Sequence, residues 1–140
     1  MIIMIRVNSK SRKKLIWRFL MHTIGEVAKI LGISTHTLRY YEKEKIITPV
    51  RDASGDRRYN DSHIKWLQFV IKLKETQMPI AKIKKYASLV LEGEHTTLER
   101  LSLLKEHKDA IKKQIRTLKA ADEMLEYKIA AYKDFISKRD

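Results

Sequence analysis

Apolar residues recur at three- and four-residue intervals in five stretches of the chain, each bounded by residues that start or stop helices. In the first stretch Ile24, Val27, Ala28 and Leu31 form the stripe, Thr23 and Glu26 have capping-box spacing, and Gly32 supplies a helix-closing left-handed residue. Ser34 is placed to cap a second helix in which Leu38, with Tyr41 or Ile46, faces the first. Two short helices joined by a tight glycine turn make a helix-turn-helix. From Ile46 to Arg51 the pattern turns extended, Asp52-Ala53-Ser54-Gly55-Asp56 is turn chemistry, and Arg57-Arg58-Tyr59 returns, which predicts a short β-hairpin or wing. Asn60 or Asp61 caps a third helix, whose apolar side holds Ile64, Leu67, Val70 and Ile71 with Trp66 and Phe69 beside them. Pro79 suits the first turn of a fourth, carrying Ile80, Ile83, Ala87 and Val90, and Gly93 ends it.

The fifth stretch differs in length. Thr96 and Glu99 have capping-box spacing again, and no Gly or Pro follows to the end, so a helix of roughly forty residues, about 60 Å, is expected. With Leu101 at heptad position a, the seam runs Leu101, Leu104, Lys108, Ile111, Ile115, Leu118, Asp122, Leu125, Ile129, Tyr132 and Ile136, and nine of these eleven are apolar. A lone helix has no core, and the shorter helices already share one, so pairing with a second copy is the favoured cover for this stripe. Lys108 and Asp122 either fix the register or lie where the stripe drifts outward. The fold expected is all-α with a small β-hairpin wing: a winged helix-turn-helix domain over residues 21–91, then a coiled-coil dimerisation helix over 96–138.

Charge gives this architecture a partner. Thirty Lys and Arg against seventeen Asp and Glu leave +13 on 140 residues, which points to a polyanion, most often nucleic acid. Residues 1–20 carry six basic side chains and no acid, residues 21–86 carry +6, and residues 87–140 only +1. The basic part is therefore the extension and the winged domain. Two readings of residues 1–20 stand side by side: an arm that touches DNA or lipid, or a segment upstream of a true start at Met21. The second is favoured, because no sustained apolar periodicity precedes Met21. Arg18 interrupts the apolar run Leu15-Ile16-Trp17, which resumes only as Phe19-Leu20-Met21, too short for a signal-peptide core or membrane span, so a cytoplasmic protein with no membrane partner is expected.

The candidate DNA-binding residues follow from the faces. On the second helix Thr35, His36, Arg39, Tyr40 and Lys43 are left for the major groove, with Arg39 the strongest; His36 reads equally well as a solvated histidine, and one of Tyr40 and Tyr41 as core. On the wing Arg57, Arg58 and Tyr59, with Arg51, suit phosphate clamping. Lys82, Lys84 and Lys85 make the fourth helix's start basic, as a phosphate contact or a solvated face. The absence of cysteine rules out thiolate metal sites, cysteine nucleophiles and cysteine redox sensing within this chain. His22, His36, His63, His95 and His107 lack paired ligand spacing, and no phosphate loop or nucleophile motif occurs, so neither an enzyme nor a cofactor is expected.

The density and order of these motifs resemble the MerR family of bacterial transcription regulators, through Thr37-Leu38-Arg39-Tyr40-Tyr41-Glu42, the wing closing in Arg58-Tyr59, and the helix pair that follows. The resemblance implies that Arg39 and Tyr40 contact operator DNA, that Thr35 and His36 stand at the groove-facing helix start, and that Arg58 and Tyr59 grip the backbone. It implies an antiparallel homodimer on a pseudo-palindromic promoter whose overlong spacer is bent and untwisted for RNA polymerase. Nothing after the long helix resembles the ligand domain of the family's multidrug-binding members. Residues 89–132 are similar to a branch associated with aldehyde, thiol and oxidative stress, but Lys72 stands where that branch often has a sensing cysteine. Gln77 and Pro79 stand where many members carry a helix-closing Gly and a capping Ser, which leaves the bend there open. The effector stays unassigned. An architectural or excisionase-like DNA-bending protein is the alternative, and the long pairing helix argues against it.

Overall fold

The structure, a computed structural model, describes residues 9–139; residues 1–8, including Arg6 of the basic extension, lie outside it, as does Asp140. The chain divides into two compact units, one ending at Gly93 and one beginning at Glu94.

The first unit opens with a helix that the apolar pattern did not announce, α1 (Ser9–Leu20). The segment has no Gly, Pro or acid, and its Lys, Arg and Leu are good helix formers. Its repeat is mainly basic: Lys10, Lys13 and Lys14 fall at i, i+3 and i+4, with Trp17 at i+7 on the same face.

A two-residue strand β1 (His22–Thr23) then leads into α2 (Ile24–Leu31), and α3 (Thr35–Lys43) follows the Gly32 turn. Gly32 is left-handed at φ 67°, and its turn brings the Ile33 amide onto the Ala28 carbonyl. Strands β2 (Val50–Arg51) and β3 (Arg57–Tyr59) form the expected wing. The sheet has one strand more than the hairpin, in the antiparallel order β1-β3-β2, with His22 opposite Tyr59 and Val50 opposite Arg58. Two residues carry too little alternation to announce β1 as a strand.

Helix α4 (Asp61–Glu75) completes the core with α5 (Ile80–Glu92). Val27, Leu38, Tyr41, Ile46, Tyr59, Leu67, Val70, Met78 and Ile83 pack as one buried cluster. The side facing it thus runs through Leu67, Val70 and Leu73, while Phe69 reaches solvent and Trp66 stacks on Tyr86 at 5.9 Å. The Trp66 indole N–H donates to the Ile46 carbonyl at 2.8 Å, tying α4 to the chain leaving α3. Between α4 and α5 the position expected to lack its glycine keeps a glycine-like backbone: Gln77 has φ 69°. The Gln77 and Met78 amides close on the Lys74 and Leu73 carbonyls, and Met78 is carried into the core. Burial of Met78 thus holds Gln77 in a left-handed conformation that a non-glycine residue adopts at a cost of order 1–2 kcal/mol.

The caps differ from their sequence signatures in an instructive way. Thr23 Oγ1 accepts from the Glu26 amide at 3.1 Å, but the Glu26 carboxylate lies against His22 Nδ1 at 3.3 Å. The full reciprocal box forms at Asn60, with histidine in the glutamate position: Asn60 Oδ1 accepts from the His63 amide at 2.9 Å and His63 Nδ1 accepts from the Asn60 amide at 3.0 Å. That acceptor role requires Nδ1 to be unprotonated. Burial, offset in part by a hydrogen bond to the Thr48 backbone, holds the ring below the ordinary histidine value of 6.5. Above 6.5 His63 is neutral folded and unfolded alike; as the pH falls below it the unfolded chain takes up the proton first, so stability falls until the folded ring titrates too. Glutamine keeps a cap acceptor without titrating. Urea midpoints measured from pH 8 to 5 should therefore fall less in His63→Gln than in the unsubstituted protein, and equal falls would sink this reading.

The second unit is a 3-10 turn (Glu94–Thr96) and α6 (Thr97–Ser137). The capping box expected at Thr96 is not formed: Thr96 has φ −91° and ψ 6°, too helical for its hydroxyl to reach the helix amides, and it accepts from Arg100 Nε at 3.1 Å. The 41 residues of α6 span about 60 Å. Along its seam Leu104 and Ile111 are half-buried, whereas Ile115, Leu118, Leu125, Ile129, Tyr132 and Ile136 are exposed. No helix among the described residues is long and apolar enough to cross a membrane.

Candidate nucleic-acid interface

Helix α3 is oriented by what it buries. Ser34 caps it, its Oγ accepting from the Thr37 amide at 3.1 Å, and Leu38 and Tyr41 go into the core. At 100° per residue this places His36, Arg39, Tyr40 and Lys43 on the opposite side, and all four are exposed. Thr35 flanks that side, half-buried, and its hydroxyl accepts from Arg39 Nη1 at 3.3 Å. Of the adjacent tyrosines, Tyr41 is the core residue and Tyr40 the surface one, their ring centroids 6.0 Å apart.

The wing is built around two carboxylates. Asp52 Oδ1 accepts from the Ser54 and Asp56 amides, both at 2.9 Å, and Asp52 Oδ2 from Arg58 Nε at 3.1 Å. The Asp56 amide, with Ser54 and Arg58 adding to it, holds the Asp52 carboxyl below the ordinary carboxylate range. The turn therefore keeps its anion wherever the protein is near neutral pH. Glu42, in the last turn of α3, reaches Arg51 Nη2 at 2.8 Å and Arg57 Nε at 2.6 Å, one arginine on each strand of the hairpin. A single carboxylate thus ties the recognition helix to both wing strands. Beside it Arg39, Arg51, Arg57 and Arg58 line a cleft of about 340 Å³ with Asp56 on its rim. Three of these guanidinium groups are also paired with Glu42 or Asp52, and their remaining N–H groups, with those of Arg39, have the fork geometry that suits phosphate oxygens.

Two expectations for the wing change. Tyr59, expected to grip the backbone, is fully buried, its ring edge-on to His63 at 6.0 Å and its hydroxyl without a hydrogen-bond partner among the described residues. Strand alternation explains this: Arg58 faces outward in β3, so Tyr59 faces the core. Arg57 is half-buried on Glu42, which makes it first a brace of the wing. Glu42 and Asp52 were not among the candidate residues. Glu42 ends the Thr37–Glu42 segment and Asp52 opens the wing turn, but only the folded geometry shows which arginines they hold. Lys84, at the basic start of α5, pairs with Glu44 at 2.9 Å.

An exposed recognition helix, braced to an arginine-rich hairpin, defines a winged helix-turn-helix DNA-binding protein. Residues 22–89 match the description MerR HTH family regulatory protein, and residues 64–127 match MerR, DNA binding. An HTH-type transcriptional regulator of Haemophilus influenzae is 40% identical over 112 residues, covering 79% of this chain and 83% of the relative. The regulator AdhR of Bacillus subtilis is 35% identical over 89 residues, covering 63% and 64%. Among solved structures, HiNmlR, a MerR family regulator lacking the sensor domain and bound to promoter DNA, is similar with TM-score 0.77 and 38% identity over 82% of this chain and 92% of that one. A MerR family regulator from Bacillus thuringiensis has TM-score 0.72 and 34% identity, covering 79% and 98%. The chain belongs to the MerR family, whose members are DNA-binding transcriptional regulators and not enzymes.

Proposed function

We propose that the protein acts as a homodimer on a pseudo-palindromic promoter operator, paired through α6, and distorts the spacer DNA to control RNA polymerase. The observation that carries the DNA contact is the bare face of α3 beside the four-arginine cleft. Pairing is supported by the run of exposed apolar side chains from Ile115 to Ile136, at heptad spacing on a helix with no core of its own. HiNmlR, bound to promoter DNA, supports a promoter as the target. Bending and untwisting an operator costs of order 1–6 kcal/mol, which the arginine contacts on two half-sites would supply.

Purified protein mixed with fragmented genomic DNA at about 0.15 M salt, where non-specific charge binding is weak, tests this reading. It should recover a few palindromes inside overlong promoter spacers. Recovery of random or merely bendable DNA would overturn it in favour of an architectural role. On a recovered operator, Arg39→Ala should lower affinity by about 1–3 kcal/mol and leave the fold intact, because the side chain is exposed. Unchanged affinity in a fluorescence-anisotropy titration would show that another face of α3 enters the groove.

A further inference from the structure

We infer that α1 forms a second wall beside the wing and that duplex DNA backbone runs between the two. The inference rests on the DNA-binding reading above and extends it to a segment that the family matches, which begin at residue 22, do not include. Lys13, Lys14 and Trp17 of α1 border a hollow of about 750 Å³ whose other side is the wing, including Arg51 and Arg58. Those two arginines also line the cleft beside Arg39, so the hollow continues the recognition surface. The sequence of α1 contains no acidic residue. Across the hollow stand two acids, Asp56 and Asp52, the latter engaged by Arg58 and by two amides of the turn.

The lining sets Lys13, Lys14, Arg51 and Arg58 against Asp52 and Asp56, so the hollow is net positive, with α1 as its uncompensated basic side, and such a surface favours an anion beside it. The hollow is open and far larger than a single phosphate ion, so a chain of phosphodiesters on the wing side of the recognition helix fits its charge and its continuity with the cleft. Phosphate contacts of this kind add affinity and position without reading sequence. The basic extension would therefore strengthen and lengthen the grip on an operator that α3 selects.

The test compares the full-length protein with Lys13→Gln/Lys14→Gln on an operator duplex recovered by the genomic selection, titrated from about 0.1 to 0.3 M salt. Each lost phosphate contact removes about 0.9 from the slope of log affinity against log salt, so the slope should fall by about 1 or more per subunit. Hydroxyl-radical protection beyond the wing should weaken, and Lys13→Arg/Lys14→Arg should retain both slope and protection. Single Lys13→Gln and Lys14→Gln variants give the same readout, each with a fall of up to about 0.9, if the double variant does not fold. An unchanged slope and footprint would overturn the proposal, as would a rise in affinity, which would mean that α1 screens the cleft. Loss of binding to phosphatidylserine vesicles with unchanged DNA slope would overturn it in favour of a lipid surface. Failure of the unsubstituted protein to select an operator would count against the regulator reading itself, and is thereby distinguished from failure of α1 alone.

Discussion

Changing Ile115 and Leu118 together to Asp should convert the protein to monomers or aggregates and weaken operator binding roughly 100- to 10,000-fold. Both side chains are exposed on α6 at consecutive seam positions, 57% and 68% respectively, and have no role in the first unit's core. In a paired seam they would be buried, and an ionised carboxylate placed there is desolvated without a partner at a cost of several kcal/mol. Two copies would bring four such charges into one interface. The weakening of DNA binding then follows from separation alone, because each half-site must be held by one domain without the effective concentration that pairing supplies. Sedimentation equilibrium together with operator titration checks both parts. A fully dimeric double variant would falsify the heptad assignment.

The second large effect belongs to Tyr59, and its pattern separates a core residue from a DNA contact. Tyr59→Ala should cost about 3–5 kcal/mol of stability, as removal of a large buried ring does. Tyr59→Phe should leave operator affinity unchanged and leave stability equal or higher, by up to about 1 kcal/mol, because the buried hydroxyl has no partner among the described residues. Urea denaturation and operator titration of the two variants suffice. Loss of operator affinity in Tyr59→Phe with full stability would return Tyr59 to the DNA surface.

Tyr59 also marks the boundary of what the sequence made legible. The helix-turn-helix, the wing and the long helix could be read because stripe spacing, Gly32 and the Asp52 to Asp56 turn are local signals, and local signals survive without knowledge of the neighbours. The face of α3 was legible for the same reason, since burying Leu38 decides where Arg39 points. A three-residue strand gives no such leverage: whether Arg58 or Tyr59 faces outward depends on pairing with β1, and β1 is two residues long. Helix α1 escaped because the repeat that organises it is basic, whereas the signature sought was apolar. The capping boxes show the same limit at the level of single hydrogen bonds. Spacing placed Thr96 and Glu99 correctly for a box, but the preceding 3-10 turn gives Thr96 the wrong backbone angles. Asn60 takes His63 where the box pattern has Glu or Gln, because an imidazole nitrogen accepts as a carboxylate oxygen does.

The double engagement of Glu42 has a consequence for operator grammar. With Arg51 and Arg57 on the same carboxylate, α3 and the hairpin beside it behave as a caliper with its jaws pinned. On the proposed operator, the interval within one half-site between the base step met by α3 and the phosphates met by the wing is then held nearly constant. An inserted or deleted base pair inside a half-site should be intolerable, while variation in length is confined to the centre of the operator, where no jaw of the caliper reaches.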